Sequence, residues 1–133
     1  MKKTNCILFI SFILIFGIFT TSSCKKKSSD PEPPANPTFV MSSTANPANT
    51  NEIIFMFKCT STDVKLTKVV ITDPLAINPT TFDLQGATFL QNSPYYFNTA
   101  FTKATGTWTF KFTGNRTSDN SGFISTTTLL VSK

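Results

Sequence analysis

The chain has 133 residues, a formal net charge of +5 and no histidine. Its length allows one domain with its own core, and the absence of histidine removes the commonest transition-metal ligand and the most frequent general base. The positive charge is concentrated in Lys2, Lys3 and residues 25–27, whereas the later bases and acids are scattered and nearly balanced. We expect no nucleic-acid partner, because such binders gather their bases on one surface.

The first 23 residues have the pattern of a secretory signal peptide. Lys2 and Lys3 precede an apolar run over residues 6–19, and small residues follow it. The run is shorter than the roughly 20 residues that a transmembrane helix needs, and this order of basic, apolar and small segments is typical of an export signal. We expect residues 1–23 to form a signal helix that is removed; a short membrane-spanning anchor is the alternative.

Cys24, which ends the run of small residues, is predicted to be lipidated. The sequence Thr21-Ser22-Ser23-Cys24 resembles the lipobox of bacterial lipoproteins, with Thr21 where leucine is commonest. The resemblance implies cleavage before Cys24 and acyl chains on it, and several chains together give stable membrane anchoring. Lys25 stands where such proteins often carry the aspartate that retains them in the inner membrane, so the resemblance implies an outer-membrane location, on either its periplasmic or its external face.

Residues 24–37 are predicted to form a disordered, semi-rigid tether. Three lysines come first, and four prolines then fall within residues 31–37. Proline fixes its own φ and favours extended neighbours, so this segment should act as a spacer. The lysines either lie against anionic lipid headgroups or form a solvated basic spacer.

Residues 38–133 follow a period of two, which predicts an all-β domain. The first strand is expected over residues 39–43 and the second over residues 52–60. The third strand, over residues 64–72, has mixed faces that a β-bulge would reconcile. In the second strand, four residues share the face that we expect to be buried: Ile53, Phe55, Phe57 and Cys59.

The second half of the domain contains shorter signals and one strong one. Short edge strands are expected over residues 81–84 and 87–91, then a strand over residues 95–97, and one helical turn would fit within residues 98–105. The alternation of Trp108, Phe110 and Phe112 with polar residues predicts a central strand over residues 106–114. A polar hairpin loop over residues 115–122 leads to the last strand, over residues 123–131.

About seven strands, with turn signals roughly every ten residues, predict a β-sandwich. Gly106-Thr107-Trp108-Thr109-Phe110 is similar in rhythm to the motif at the penultimate strand of immunoglobulin-like domains, with Trp108 in place of tyrosine and Phe110 in place of cysteine. The resemblance implies an immunoglobulin-like or fibronectin-III-like sandwich in which Cys59 faces Phe110. A lipocalin-like barrel is the second alternative.

The chain shows no pattern of catalytic or cofactor-binding residues. Its carboxylates are isolated in sequence, so we expect no enzymatic activity, no cofactor and no metal site. The loop over residues 115–122 offers oxygen ligands from Asn115, Asp119, Asn120 and Ser121, which leaves calcium binding open, but it lacks the acids of an EF-hand and an ordinary hairpin is preferred. Cys59, left without a partner once Cys6 is removed and Cys24 is acylated, is predicted to be buried and inert.

Exposed aromatic rings are the remaining candidates for a binding site. Trp108 shares a face with two phenylalanines and is predicted to be core, whereas Tyr95 and Tyr96 point to opposite faces, so Tyr96 is the candidate ligand contact. These features predict a small outer-membrane lipoprotein whose domain is a binding or structural module of the cell envelope. The alternatives are a carbohydrate-binding accessory lipoprotein of a surface uptake complex and an accessory subunit of a surface polymer, which would need an exposed edge strand.

Overall fold

The computed structural model describes residues 32, 34–75, 77 and 79–133. The predicted signal peptide, the lipidation site Cys24 and most of the tether lie outside the described residues. Within the described part of the chain, no helix is both long enough and apolar enough to cross a membrane.

Two antiparallel sheets make up the domain, and the all-β sandwich predicted from the sequence is confirmed. The three-stranded sheet has the order β1-β2-β5 and the four-stranded sheet the order β4-β3-β6-β7. In the letters used for immunoglobulin-type sandwiches, β1, β2 and β5 correspond to strands A, B and E. The second sheet, in its order β4-β3-β6-β7, then corresponds to C′, C, F and G, so the fourth strand pairs with the third, as in one variant of this architecture. The strands are β1 (Phe39–Asn46), β2 (Asn49–Cys59), β3 (Val64–Thr72), β4 (Thr80–Phe89), β5 (Tyr95–Thr102), β6 (Gly106–Arg116) and β7 (Gly122–Val131).

An aromatic core joins the two sheets. Alternate residues of β2 and β6 point inward because side chains along a strand alternate between its faces. The Phe55 ring lies 4.8 Å from the Trp108 ring and 5.0 Å from the Phe110 ring, and the Phe57 ring lies 5.3 Å from the Phe112 ring. All five side chains are buried, as predicted, and each contributes about 2 kcal/mol or more through removal of apolar surface from water.

The pairing across the core corrects one implication of the immunoglobulin resemblance. Phe110 faces Phe55 and not Cys59. Cys59 lies four residues further along β2, roughly 13 Å away at the usual rise per residue. It is buried and unpaired, as the sequence predicted.

The bulge predicted in the third strand is confirmed and lies at Thr67. The register of β3 against β6 shifts between Leu66 and Lys68, and both Thr67 and Lys68 are exposed, so Leu66 and Val69 can both face the core. Gly114 of β6 packs against the backbone at this bulge. A Cβ there would overlap the carbonyl oxygen of Lys65 and lie 3.0 Å from Cα of Leu66.

Two predictions for the second half of the domain are wrong. The two edge strands expected over residues 81–84 and 87–91 are a single edge strand, β4, which ends at Phe89 and bulges at Gln85 and Gly86, both with positive φ. The expected helical turn within residues 98–105 is absent, since β5 extends to Thr102 and pairs with β2 through Phe101 and Ala100. In both places, pairing with a neighbouring strand overrides the local signal.

The N-terminal residues of the described domain pack against its loop end. Arg116, which is buried, donates from Nη1 to the carbonyl oxygen of Ala35 at 2.7 Å, and the side-chain amide of Asn36 donates to the carbonyl oxygen of Ile124 at 3.1 Å. Pro37 is fully buried. The compact unit therefore begins at Pro34, slightly before the boundary at residue 38 expected from the sequence.

Candidate functional site

The outer surface of the three-stranded sheet carries an apolar patch. We call it the Tyr96 face, and it comprises Val40, Ile54, Met56, Lys58 and Tyr96. Tyr96, the ligand contact expected from the sequence, is 59% exposed, and Val40 is 53% exposed. The side chains of β2 on this face are half-buried.

Strand pairing places these side chains together. Because Phe55 and Phe57 point into the core, Ile54, Met56 and Lys58 point outward. Met56 pairs with Tyr96 of β5 on one side, and Lys58 pairs with Val40 of β1 on the other. Directly opposite residues have Cβ atoms about 5 Å apart, so neighbouring side chains of the face touch.

A groove of about 370 Å³ opens at one end of the Tyr96 face. The loop between β4 and β5 closes one side of it through Asn92 and Pro94, and β1 closes the other. Binding sites for small ligands are mostly apolar clefts of comparable volume with a few polar groups that fix orientation. This groove fits that description in volume and in the composition of its lining. Its residues are Val40, Ser42, Met56, Phe57, Lys58, Asn92 and Pro94.

Tyr95 and Tyr96 have different roles, as their positions predicted. The Tyr95 ring stacks on Phe57 with 5.7 Å between centroids, and its hydroxyl accepts a hydrogen bond from the backbone N–H of Leu90 at 2.8 Å. Tyr95 thus joins the core and fixes the loop before β5. Tyr96 extends into solvent, and the side chains of the described residues offer its hydroxyl no hydrogen-bond partner.

Carboxylates of the domain accept structural hydrogen bonds from backbone N–H groups. Asp73 accepts from the backbone N–H of Leu75 at 2.8 Å, and Asp83 accepts from that of Gln85 at 3.0 Å. Asp63 accepts from the backbone N–H of Gln91 at 2.6 Å. The described residues contain no group of three or more His, Cys, Asp or Glu placed to hold a metal ion.

The loop between β6 and β7 is organised around Asp119. Its Oδ1 accepts from the backbone N–H of Ser121 at 3.0 Å and from the Ser121 hydroxyl, and it lies 3.3 Å from Nε of Arg116. These two bonds from Ser121, followed by the charge of Arg116, hold the pKa of Asp119 below its ordinary value. In the same loop, Asn115 Nδ2 donates to the carbonyl oxygen of Asn120 at 2.9 Å, which ties the two ends of the loop together.

The sequence identified Tyr96 but missed the rest of its face. Val40, Ile54 and Met56 were assigned to strands without a functional role. The available signal was the composition of the second face of β2, which carries Ile54 and Met56 although Ile53, Phe55 and Phe57 already supply the core. A strand that is apolar on both faces is expected in the middle of a covered sheet, and here only one face is covered.

No protein-family model, curated protein or solved structure matches this chain. Evidence for a function therefore comes from the strand order and from the residues exposed on each surface.

Proposed function

We propose that this protein is a small outer-membrane lipoprotein, anchored through acyl chains on Cys24, whose immunoglobulin-like sandwich binds a protein partner of the cell envelope through the Tyr96 face. The observation that carries the binding role is the apolar strip in which half-buried Met56 lies between the exposed side chains of Val40 and Tyr96. Contiguous exposed apolar surface marks interaction sites in folded proteins.

The chemistry of the face suits a protein partner. Tyrosine and methionine are enriched at protein interfaces, where a large side chain buries apolar area and a phenol can still form a hydrogen bond. Lys58 lies at one end of the strip and forms no ion pair with any described residue. A partner with an apolar segment beside an acidic residue would match both features.

The carbohydrate-binding alternative has less support. Platforms that bind sugars present several exposed rings, and among the described residues Tyr96 is the one aromatic side chain with most of its surface exposed. A single ring offers one stacking position. We therefore favour the protein-binding role for this face.

The anchoring part of the proposal rests on the N-terminal sequence and has its own test. Globomycin, which blocks the peptidase that matures lipoproteins, should accumulate the uncut precursor, and a Cys24→Ser variant should lose membrane association. Normal maturation in the presence of globomycin would refute anchoring at Cys24. Protease treatment of intact and lysed cells would then show which face of the membrane carries the domain.

The binding part is tested by a photo-crosslinking amino acid placed at residue 96 of the full chain in its native envelope. The matched control carries the same group in place of Leu75, which is also highly exposed but lies between β3 and β4, at the opposite end of the strands from Tyr96. A discrete adduct from position 96 that is absent from position 75 is the expected result. No adduct from position 96, or the same adduct from both positions, would refute the assignment of this face.

A further inference from the structure

The outer edge of β7 is a long strand edge without the features that usually block pairing. β7 pairs with β6 through ten consecutive residue pairs without a register shift. The segment Gly122–Val131 contains no charged residue and no proline. Natural edge strands are normally protected by charges, prolines or bulges, because a free row of N–H and C=O groups can pair with another strand.

The other edges of the sandwich are shorter or less regular, although β1 also lacks charges and prolines. β4 contains the bulge with positive φ at Gln85 and Gly86 and carries Asp83. β5 changes register against β2 between Ile54 and Met56, and β1 does so at its end, between Ala45 and Asn46. Among the four edge strands, β7 therefore has the longest unbroken register. β1 of the other sheet packs against β7, but no described strand pairs with its outer side.

The backbone geometry shows which groups of β7 point outward. Arg116 donates its backbone N–H to the carbonyl oxygen of Ser121 at 3.0 Å, so that pair is hydrogen-bonded, and every second pair along the ladder is too. The backbone groups of the odd-numbered residues therefore bond to β6: 123, 125, 127, 129 and 131. The backbone N–H and C=O groups of the even-numbered residues point away from β6: 124, 126, 128 and 130. The bond from Asn36 to the carbonyl oxygen of Ile124 independently agrees with this assignment.

These outward residues are self-complementary about a two-fold axis. Around Thr127, antiparallel pairing of two identical strands sets residue 124 opposite 130 and residue 126 opposite 128. Ile124 would then meet Leu130 of the second copy, and these side chains are 55% and 73% exposed in the single chain. Thr126 would meet Thr128 of the second copy, and both apolar and Thr–Thr cross-strand pairs are favourable.

We propose that the outer edge of β7 pairs antiparallel with β7 of a second copy of this chain, which joins two four-stranded sheets into one continuous eight-stranded sheet. The register sets Ile124 opposite Leu130 of the second copy. Four outward-facing pairs at two hydrogen bonds each supply about eight new bonds. Because the same patch serves both copies, the interface closes as a dimer and does not propagate.

Asn36 competes for one of the backbone groups that would pair with the second copy, the carbonyl oxygen of Ile124. Its side-chain amide already occupies one lone pair of the Ile124 carbonyl oxygen. A carbonyl oxygen can accept two hydrogen bonds, so the second copy either shares this oxygen or displaces Asn36. The bonds of Thr126 and Thr128 do not involve Asn36. This dimer does not depend on the Tyr96 face or on Cys24, since β7 belongs to the other sheet.

The test compares the full chain in mild detergent with two lysine variants by sedimentation equilibrium. Thr128→Lys places a charge on the outer edge of β7, and Thr81→Lys places the same charge on the same sheet face at the opposite edge, on β4; both threonines are exposed. The wild-type chain and Thr81→Lys are expected to dimerise equally, and Thr128→Lys to bind at least roughly tenfold more weakly. Association through acyl groups or shared micelles would be equally strong in the wild-type chain and in both variants, which would contradict pairing through β7.

The register has a separate readout. Ile124→Cys and Leu130→Cys chains, mixed under mild oxidation, should form a disulfide with each other, because a hydrogen-bonded antiparallel pair has Cα atoms about 5.5 Å apart, within disulfide range. Neither variant should crosslink to itself through the new cysteine. A monomeric wild-type chain, or a Thr128→Lys chain that dimerises as the wild type does, would overturn the proposal. Crosslinking of Leu130→Cys to itself would overturn the register.

Discussion

Replacing Gly114 with alanine should destabilise the sandwich much more than a single methyl group normally does. The new Cβ would overlap the carbonyl oxygen of Lys65 and lie 3.1 Å from its carbonyl carbon and 3.0 Å from Cα of Leu66. All three atoms belong to the backbone of β3, which is paired on both sides, so no side chain can rotate away to make room.

The expected loss of stability depends on the backbone of β3, which must shift to make room for the new Cβ. Overpacking a core typically costs about 1–3 kcal/mol, and moving a central strand places this substitution at or above the upper end, at roughly 3 kcal/mol. A domain of about 100 residues has a total stability of about 5–15 kcal/mol. The melting temperature of a domain of this size falls by about 4–8 °C per kcal/mol, so we expect a decrease of roughly 12–24 °C.

The matched control is Gly122→Ala, one register step away on β7. Its Cβ would meet nothing closer than the carbonyl oxygen of Gly114 at 3.9 Å, an ordinary van der Waals contact. Urea denaturation of both variants, monitored by Trp108 fluorescence, gives the difference in unfolding free energy. If Gly114→Ala and Gly122→Ala differ by less than about 0.5 kcal/mol, near the spread of neutral surface substitutions, the bulge does not require a glycine at residue 114.

Three further substitutions test the loop end and the core. Trp108→Phe should lower the free energy of unfolding, measured by urea denaturation, by about 1–3 kcal/mol. The substitution removes the indole N–H that donates to the Ala104 carbonyl oxygen at 3.0 Å and leaves that oxygen without this partner. An unchanged free energy of unfolding would show that water replaces the bond. Arg116→Met should speed hydrogen exchange of the backbone N–H of Thr38, which donates to Oγ of Ser61 at 3.0 Å, because the substitution removes the bond that holds Ala35, while β2 stays protected. Unchanged exchange at Thr38 would refute the anchoring role. Asp119→Asn should be less stable than the wild type at neutral pH, and the deficit should shrink as the pH falls below roughly 4. The folded pKa of Asp119 lies below the ordinary 3.8, so its carboxylate stabilises the fold above the unfolded pKa and loses this effect as the pH falls through the folded pKa; a deficit that does not change with pH would contradict this reasoning.

The sequence predicted the fold best where one strand face is uniformly apolar. The alternations in β2 and β6 are unbroken, and both strands lie in the interior of their sheets. The bulge in β3 was also predictable, because Lys68 falls in phase with Val64 and Leu66 although they are buried and it is exposed. A one-residue insertion is the change that reverses the phase of a strand.

The prediction failed where pairing partners outweigh local chemistry. Gln85 and Gly86 have the composition of a turn, and their positive φ values are those of a turn, but β3 pairs with β4 on both sides of them and makes them a bulge. The segment over residues 98–102 has weak helical features, yet β2 offers it a free edge. A single sequence does not contain the position of that edge, since the position depends on how β2 is paired elsewhere.

The Tyr96 face was only partly predictable for a related reason. Exposure of Tyr96 follows from the parity of β5, but the groove forms because Met56, Val40 and Pro94 come from three separate segments. Their proximity depends on the registers of β1 and β5 against β2. Periodicity assigns each residue to a face, and only the registers show which neighbours it has.

The aromatic core also explains how this sandwich holds together without the disulfide that links its two sheets in antibody domains. Three ring pairs link β2 of one sheet to β6 of the other: Phe55–Trp108, Phe55–Phe110 and Phe57–Phe112, at centroid distances of 4.8, 5.0 and 5.3 Å. Aromatic pairs contribute about 0.5–1.5 kcal/mol each beyond their buried area, so these three together match the roughly 2–4 kcal/mol of a typical disulfide. Because Cys59 is buried and has no thiol partner in the described domain, this link between the sheets does not depend on the redox state of the compartment.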